Sequence, residues 1–170
     1  NYLGGVVFRK RLGSVQSEDS GLAVAEDPSG KIWVGGYSDS AGVKTAWIDC
    51  RNPSGAPIWS KTLFKSKLGA QVQDLEVARD GKSMAACGVK DGKAWFLRLL
   101  MDGKPVFQPA VFDKVDALSA LSIEKTSLVE GRQCWYLYGC AKDAKGNLRA
   151  FFLKTDPAGV FVGAVVLSDK

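Results

Sequence analysis

An all-β fold of repeated four-stranded units is what this 170-residue sequence predicts, and three observations predict it. One strand–turn–strand passage recurs: Ala46-Trp47-Ile48 through Gly55 to Pro57-Ile58-Trp59, Ala94-Trp95-Phe96 through Gly103 to Pro105-Val106-Phe107, and Ala150-Phe151-Phe152 through Gly159 to Val160-Phe161. The copies stand 48 and 56 residues apart, a period in the range of propellers and solenoids. The segments between turn signals are short and rich in β-branched and aromatic residues. The turns themselves carry Asp, Asn, Pro and Gly, which preset or tolerate the dihedrals a reversal needs.

The elements follow in order. In the first copy Leu22-Ala23-Val24 ends at the turn Asp27-Pro28-Ser29-Gly30. Lys31 to Tyr37 reads as a second strand, and a polar loop from Ser38 to Lys44 leads to a third, Thr45 to Arg51. After Asn52-Pro53-Ser54-Gly55 comes a fourth strand, Pro57 to Leu63. The second copy gives Leu75-Glu76-Val77, Lys82 to Val89, Ala94 to Leu99 and Pro105 to Phe112, with turns at Asp80-Gly81, Lys90 to Lys93 and Asp102-Gly103. The third gives Leu121-Ser122-Ile123, Gln133 to Ala141, Arg149 to Thr155 and Val160 to Leu167. Its connections are Glu130-Gly131, Lys142 to Leu148 and Asp156-Pro157-Ala158-Gly159.

Gly36, Gly88 and Gly139 recur inside the second strand, where a glycine admits a closely approaching backbone. Trp47, Trp95 and Phe151 recur in the third and are expected to fill the space between sheets. A four-stranded sheet with two apolar faces cannot bury either alone; stacking the copies around an axis does so.

The expected fold is therefore all-β and of propeller type: three four-stranded antiparallel blades plus one extra N-terminal strand, a partial propeller or one completed by oligomerisation. We read one repeat domain over 1–170: a stray outer strand at 5–13, then blades at 21–64, 72–112 and 118–168. The stray strand is assigned because Gly5 to Gly13 matches the fourth strand and exit of the first copy, Ile58 to Gly69. The opening at Asn1, already close to a repeat element, reads as part of something longer.

Composition narrows the function. Hydrophobic residues make up 46% and charged residues 24%, ordinary for a folded soluble domain. No apolar run approaches the roughly 20 residues of a membrane helix. The net charge of +5 permits attraction to anions, but acids are interleaved with bases, unlike the clustered surface of a nucleic-acid binder. Cys50, Cys87, Cys134 and Cys140 include no CxxC pair. Cys134 and Cys140, six residues apart on one strand, are separated by roughly 20 Å at about 3.3 Å per residue, too far to bridge. Free buried thiols are expected.

The first copy resembles bacterial β-propeller repeats of secreted or surface type. Asp27, Gly30, Gly36-Tyr37-Ser38, Ala46-Trp47-Ile48, Gly55 and Trp59-Ser60-Lys61 carry the likeness, which weakens where Val89 and Cys140 replace Tyr37. Ala46, Asp49, Gly55 and Trp59 are more loosely similar to the run in quinoprotein propellers; Leu97 and Leu153 stand in Asp49's place in the other copies. The resemblance implies the cell exterior, whereas free thiols suit a reducing compartment.

The absence of histidine removes His-dependent nucleophile systems and His-ligated metals. No nucleophile elbow, phosphate loop, dinucleotide fingerprint or calcium loop is present. No catalytic residue, metal site or cofactor is expected. The remaining surface is the rim formed by loops after the second and fourth strands, where eleven bases face eight acids. Lys10, Arg11, Lys65, Lys67, Lys90 and Lys114 are its candidate partner-binding residues. The expected function is a non-catalytic propeller platform for a protein or glycan partner, within a larger or self-associating propeller. The alternative is a segment of a propeller enzyme whose active site lies in other blades.

Overall fold

The structure is a computed structural model. It describes residues 17–78, 80–125, 134–142, 145–156 and 160–166, with 113–125, 141–142 and 161–166 described by backbone alone. The regular structure of these residues is eleven strands and no helix. They are β1 (Glu18–Glu26), β2 (Ile32–Ser40), β3 (Val43–Arg51), β4 (Pro57–Ser66), β5 (Ala70–Val77), β6 (Ser83–Lys90), β7 (Lys93–Leu100), β8 (Ala110–Lys125), β9 (Trp135–Lys142), β10 (Leu148–Thr155) and β11 (Phe161–Val166).

Turn chemistry sets the strand ends. The Asp27 carboxylate accepts the Ser29 and Lys31 amides at 2.8 and 3.0 Å. The Asn52 side-chain carbonyl accepts those of Ser54 and Ala56 at 3.0 and 2.9 Å. Gly30 and Gly55 take the positive φ each turn needs, 78° and 82°. At the other end of the sheets, Ala41-Gly42 and Asp91-Gly92 are two-residue hairpin turns with positive φ at both positions, which matches the twist of the flanking strands. The polar loop expected from Ser38 to Lys44 is therefore a hairpin tip. Pairing continues through Ser38↔Thr45, Asp39↔Lys44 and Ser40↔Val43. Polar side chains there mark a solvated strand end rather than a loop.

All pairings are antiparallel. One sheet has the order β1-β2-β3-β4, the other β11-β10-β9-β8-β7-β6-β5, and neither closes on itself. The seven-stranded sheet is two meanders sharing one long strand. Residues 110–112 and 116 of β8 pair with β7, and residues 117–125 pair with β9. Two separate strands were expected here, Pro105 to Phe112 and Leu121 to Ile123. Residues 105–109 instead make an isolated bridge, Leu99↔Pro105, and continuous pairing starts after Pro109. Proline cannot donate to a ladder, so the strand begins beyond the second one. The expected stray strand at 5–13 lies outside the described residues.

Two apolar cores separate the layers. The first joins Trp33, Ala46, Ile48 and Cys50 of the four-stranded sheet to Val72, Leu75, Met84, Trp95 and Leu97 of the next meander. The second joins Ala85, Cys87, Ala94 and Phe96 to Trp135, Leu137, Phe151 and Leu153. In β6 and β7 alternate residues face opposite cores, so this part of the sheet is covered on both sides. That is why Ser83-Met84-Ala85-Ala86-Cys87 is buried without a break. Cys50 and Cys87 are free and buried, Cys134 is buried, and Cys140 is free and half-buried.

Candidate functional site

The rim grows out of the β4–β5 connection. Lys65, near the end of β4, lies opposite Thr45, and Lys67 stands in the connection itself; both are exposed. Gly69 continues the connection with φ 119° and accepts the Asp91 amide at 2.8 Å. The Ser66 hydroxyl donates to the Asp91 carboxylate and accepts the Leu68 amide at 3.0 Å. Lys90 closes the group, its ammonium 5.5 Å from the Phe64 ring centre and 3.6 Å from Asp91 Oδ2. The fold thus brings Lys65, Lys67 and Lys90 to one loop cluster. Asp91 is engaged by Ser66 and Lys90, leaving Lys65 and Lys67 as the exposed cations. Lys114 lies on β8, described by backbone alone, and Lys10 and Arg11 lie outside the described residues.

A second feature was not singled out in the sequence. The face of the first sheet turned away from the core holds a groove of about 250 Å³, lined by Ser38, Thr45, Trp47, Asp49, Arg51, Ser60 and Thr62. Arg51 Nε donates to Asp49 Oδ2 at 2.5 Å and Arg51 Nη1 to the Gly55 carbonyl at 2.9 Å, so the guanidinium is fixed across the third strand's end. Trp95 and Phe151 are buried in the two cores, as expected of them. Trp47 belongs to neither core and is half-buried in the groove. The signal available beforehand was the departure of Asp49 and Arg51 from Leu97 and Leu99, their counterparts in the second copy.

At the opposite end, Asp27, Pro28, Ser29, Lys31, Asp80, Gly81 and Met101 line another depression. Burial pushes the Asp27 carboxyl up. Hydrogen bonds from the Ser29 hydroxyl, the Lys31 and Ser29 amides and the Trp33 indole outweigh it and hold the group below its usual range. Asp102 is also held low, by the Lys104 amide and ammonium. Both carboxylates serve the turns that contain them. Burial raises the Cys50 thiol to about 11 and also pushes the fully buried Cys87 thiol up. Among the described residues no three Cys, Asp or Glu side chains converge on a point suited to a metal ion, and no helix is long and apolar enough to cross a membrane.

No protein-family model matches the chain, and neither does any curated protein. A solved structure of Kuenenia stuttgartiensis hydrazine synthase is similar, with a TM-score of 0.52 and 11% identity, over 79% of this chain and 50% of that one. The chain thus spans half the length of that neighbour. At this identity the likeness concerns the all-β antiparallel fold alone.

Proposed function

We propose that the chain is a partial β-propeller of three four-stranded units that acts as a non-catalytic platform, with a basic rim that takes an acidic protein or an anionic glycan. The observation that carries this reading is the Lys65–Lys67–Lys90 cluster. It sits on a connection tied by Gly69, Ser66 and Asp91 to the neighbouring hairpin, on a scaffold whose layers are held by two continuous cores. Exposed ammonium groups on a rigid connection attract anions with little ordering cost. The shared strand β8, which ends one meander and opens the next, supports the three-unit count.

Retention on immobilised heparin, as a sulfated glycan, and on polyglutamate, as an acidic polypeptide, tests the rim. Lys65→Glu/Lys67→Glu is expected to elute at clearly lower salt than wild type, whereas Lys104→Glu, on a turn at the other end, is not. Equal elution of all three would overturn the assignment.

A further inference from the structure

The repeat makes the two outer faces of the molecule comparable, residue by residue, with its two inner interfaces. Trp47 lies opposite Gly36, Trp95 opposite Gly88 and Phe151 opposite Gly139, which aligns the three copies. Each copy then has a leading face, carrying the Trp or Phe, and a trailing face. The leading faces of the second and third copies are covered by the copy before them: Trp95, Leu97 and Leu99 in the first core, Phe151 and Leu153 in the second. The trailing faces of the first and second copies are covered by the copy after them, through Ile48 and Cys50 and through Ala94 and Phe96.

Among the described residues the remaining pair of faces is bare. On the leading face of the first copy Val24 is 70% exposed, while Leu75, in the same register, is 3% exposed. On the trailing face of the third copy Phe152 is 39% exposed, while its counterparts Ile48 and Phe96 are fully buried.

The two bare faces also complement each other. Inside the molecule, Gly35 of a trailing face receives Val72 of a leading face; a Cβ at Gly35 would lie 2.5 Å from the Val72 Cγ1. At the bare ends the sizes reverse. Tyr138, 45% exposed, stands in Gly35's place, and Gly21 stands in Val72's. Cys50 and Leu97, both members of the first core, are replaced at the ends by Lys154 and Asp49, of opposite charge, Asp49 being also bound by Arg51 on its own face. Large meets small and cation meets anion only when the trailing face of one molecule meets the leading face of another.

We infer that two copies of this chain associate head to tail, the Tyr138–Phe152–Lys154 face of each on the Gly21–Val24–Trp47–Asp49 face of the other. The inference rests on the three-unit reading above. Two such contacts close a ring of six four-stranded units, within the roughly 4–8 blades of closed propellers. They cover both apolar ends and turn a contact that would otherwise propagate into a finite assembly. The partner is a second copy because both halves of the complementarity belong to this one sequence.

Light scattering coupled to size exclusion on the full chain tests this. The expected mass is twice 18.2 kDa, constant over a tenfold range of concentration. Val24→Glu disables the leading face and Phe152→Glu the trailing face. Each changes an exposed side chain, so each is expected to remain folded by circular dichroism and to run as a single chain. Mixing them is decisive. The trailing face of Val24→Glu is intact, as is the leading face of Phe152→Glu, so the mixture regains two-chain mass through one contact.

A mixture that stays monomeric would overturn the head-to-tail contact, and a mass that climbs with concentration would overturn closure. A wild-type mass of one chain would overturn the inference and leave these faces to another occupant, residues 1–16 or a different protein. Heparin retention of the single-chain face variants is lowered further by Lys65→Glu/Lys67→Glu added to them, and the rim variants keep the wild-type mass, so failure of the rim assignment is separable from failure of this one.

Discussion

Asp27 shows how much a single side chain fixes. Its carboxylate receives the Ser29 amide and hydroxyl at 2.8 and 2.6 Å, the Lys31 amide at 3.0 Å and the Trp33 indole N–H at 3.4 Å. It therefore joins the first turn to a tryptophan of the first core. Asp27→Ala is expected to cost about 1–3 kcal/mol in urea unfolding at neutral pH. The folded pKa lies below the ordinary 3.8. The contribution is accordingly complete above that value and is lost as pH falls through the lower, folded value. The gap between wild type and mutant should narrow below about pH 4, and a gap that is constant down to pH 2 would contradict the role. Thiol reactivity offers a second check at this scale. Cys50, raised to about 11, and fully buried Cys87 should resist an aromatic disulfide reagent at pH 8 until the protein unfolds, and half-buried Cys140 should react first.

The hairpin tips carry the information at the scale of the element. Asp91-Gly92 has the composition its turn demands, but Ala41 holds φ at 53° with no side chain suited to that region. Ala41→Asn should raise the unfolding free energy by about 0.5–1 kcal/mol, read as a shift in denaturant midpoint at constant slope. No change would mean that the backbone relaxes at this turn. The recurrent glycine expected to admit a neighbouring backbone does so at Gly36 and Gly88. A Cβ there would collide with the carbonyls of Ser20 and Gln71, where β1 and β5 shift register. The extent of β8 was not legible, because the break in pairing after Pro105 and the change of partner from β7 to β9 depend on what lies across the sheet.

For the whole molecule, what matters is which faces are inside. Leu97 and Asp49 occupy one repeat position, but Leu97 is 1% exposed in the first core while Asp49 pairs with Arg51 beside an open groove. Leu97→Asp, which copies the first repeat into the second, places a lone carboxylate between two layers. It is expected to cost more than about 3 kcal/mol or to prevent folding, seen as loss of the cooperative thermal transition. A small effect would mean that the layers part easily and that the first core does not hold the stack. The rim was partly legible. Charge and loop position marked Lys65, Lys67 and Lys90, but only the folded connection shows Lys90 held by Asp91 and Phe64 while Lys65 and Lys67 face solvent.

The sequence by itself determined the all-β class, the repeat, the turns at Asp27 and Asn52 and the burial of Trp95 and Phe151. These follow from local dihedral preference and from side-chain alternation, which neighbours along the chain dictate. The tertiary structure alone decided that β8 serves two meanders, that Ser38 to Lys44 is a hairpin tip, and that Trp47 faces a groove while its counterparts are buried. Each of these depends on what lies across a sheet or between sheets, at distances in space that a repeat pattern does not encode.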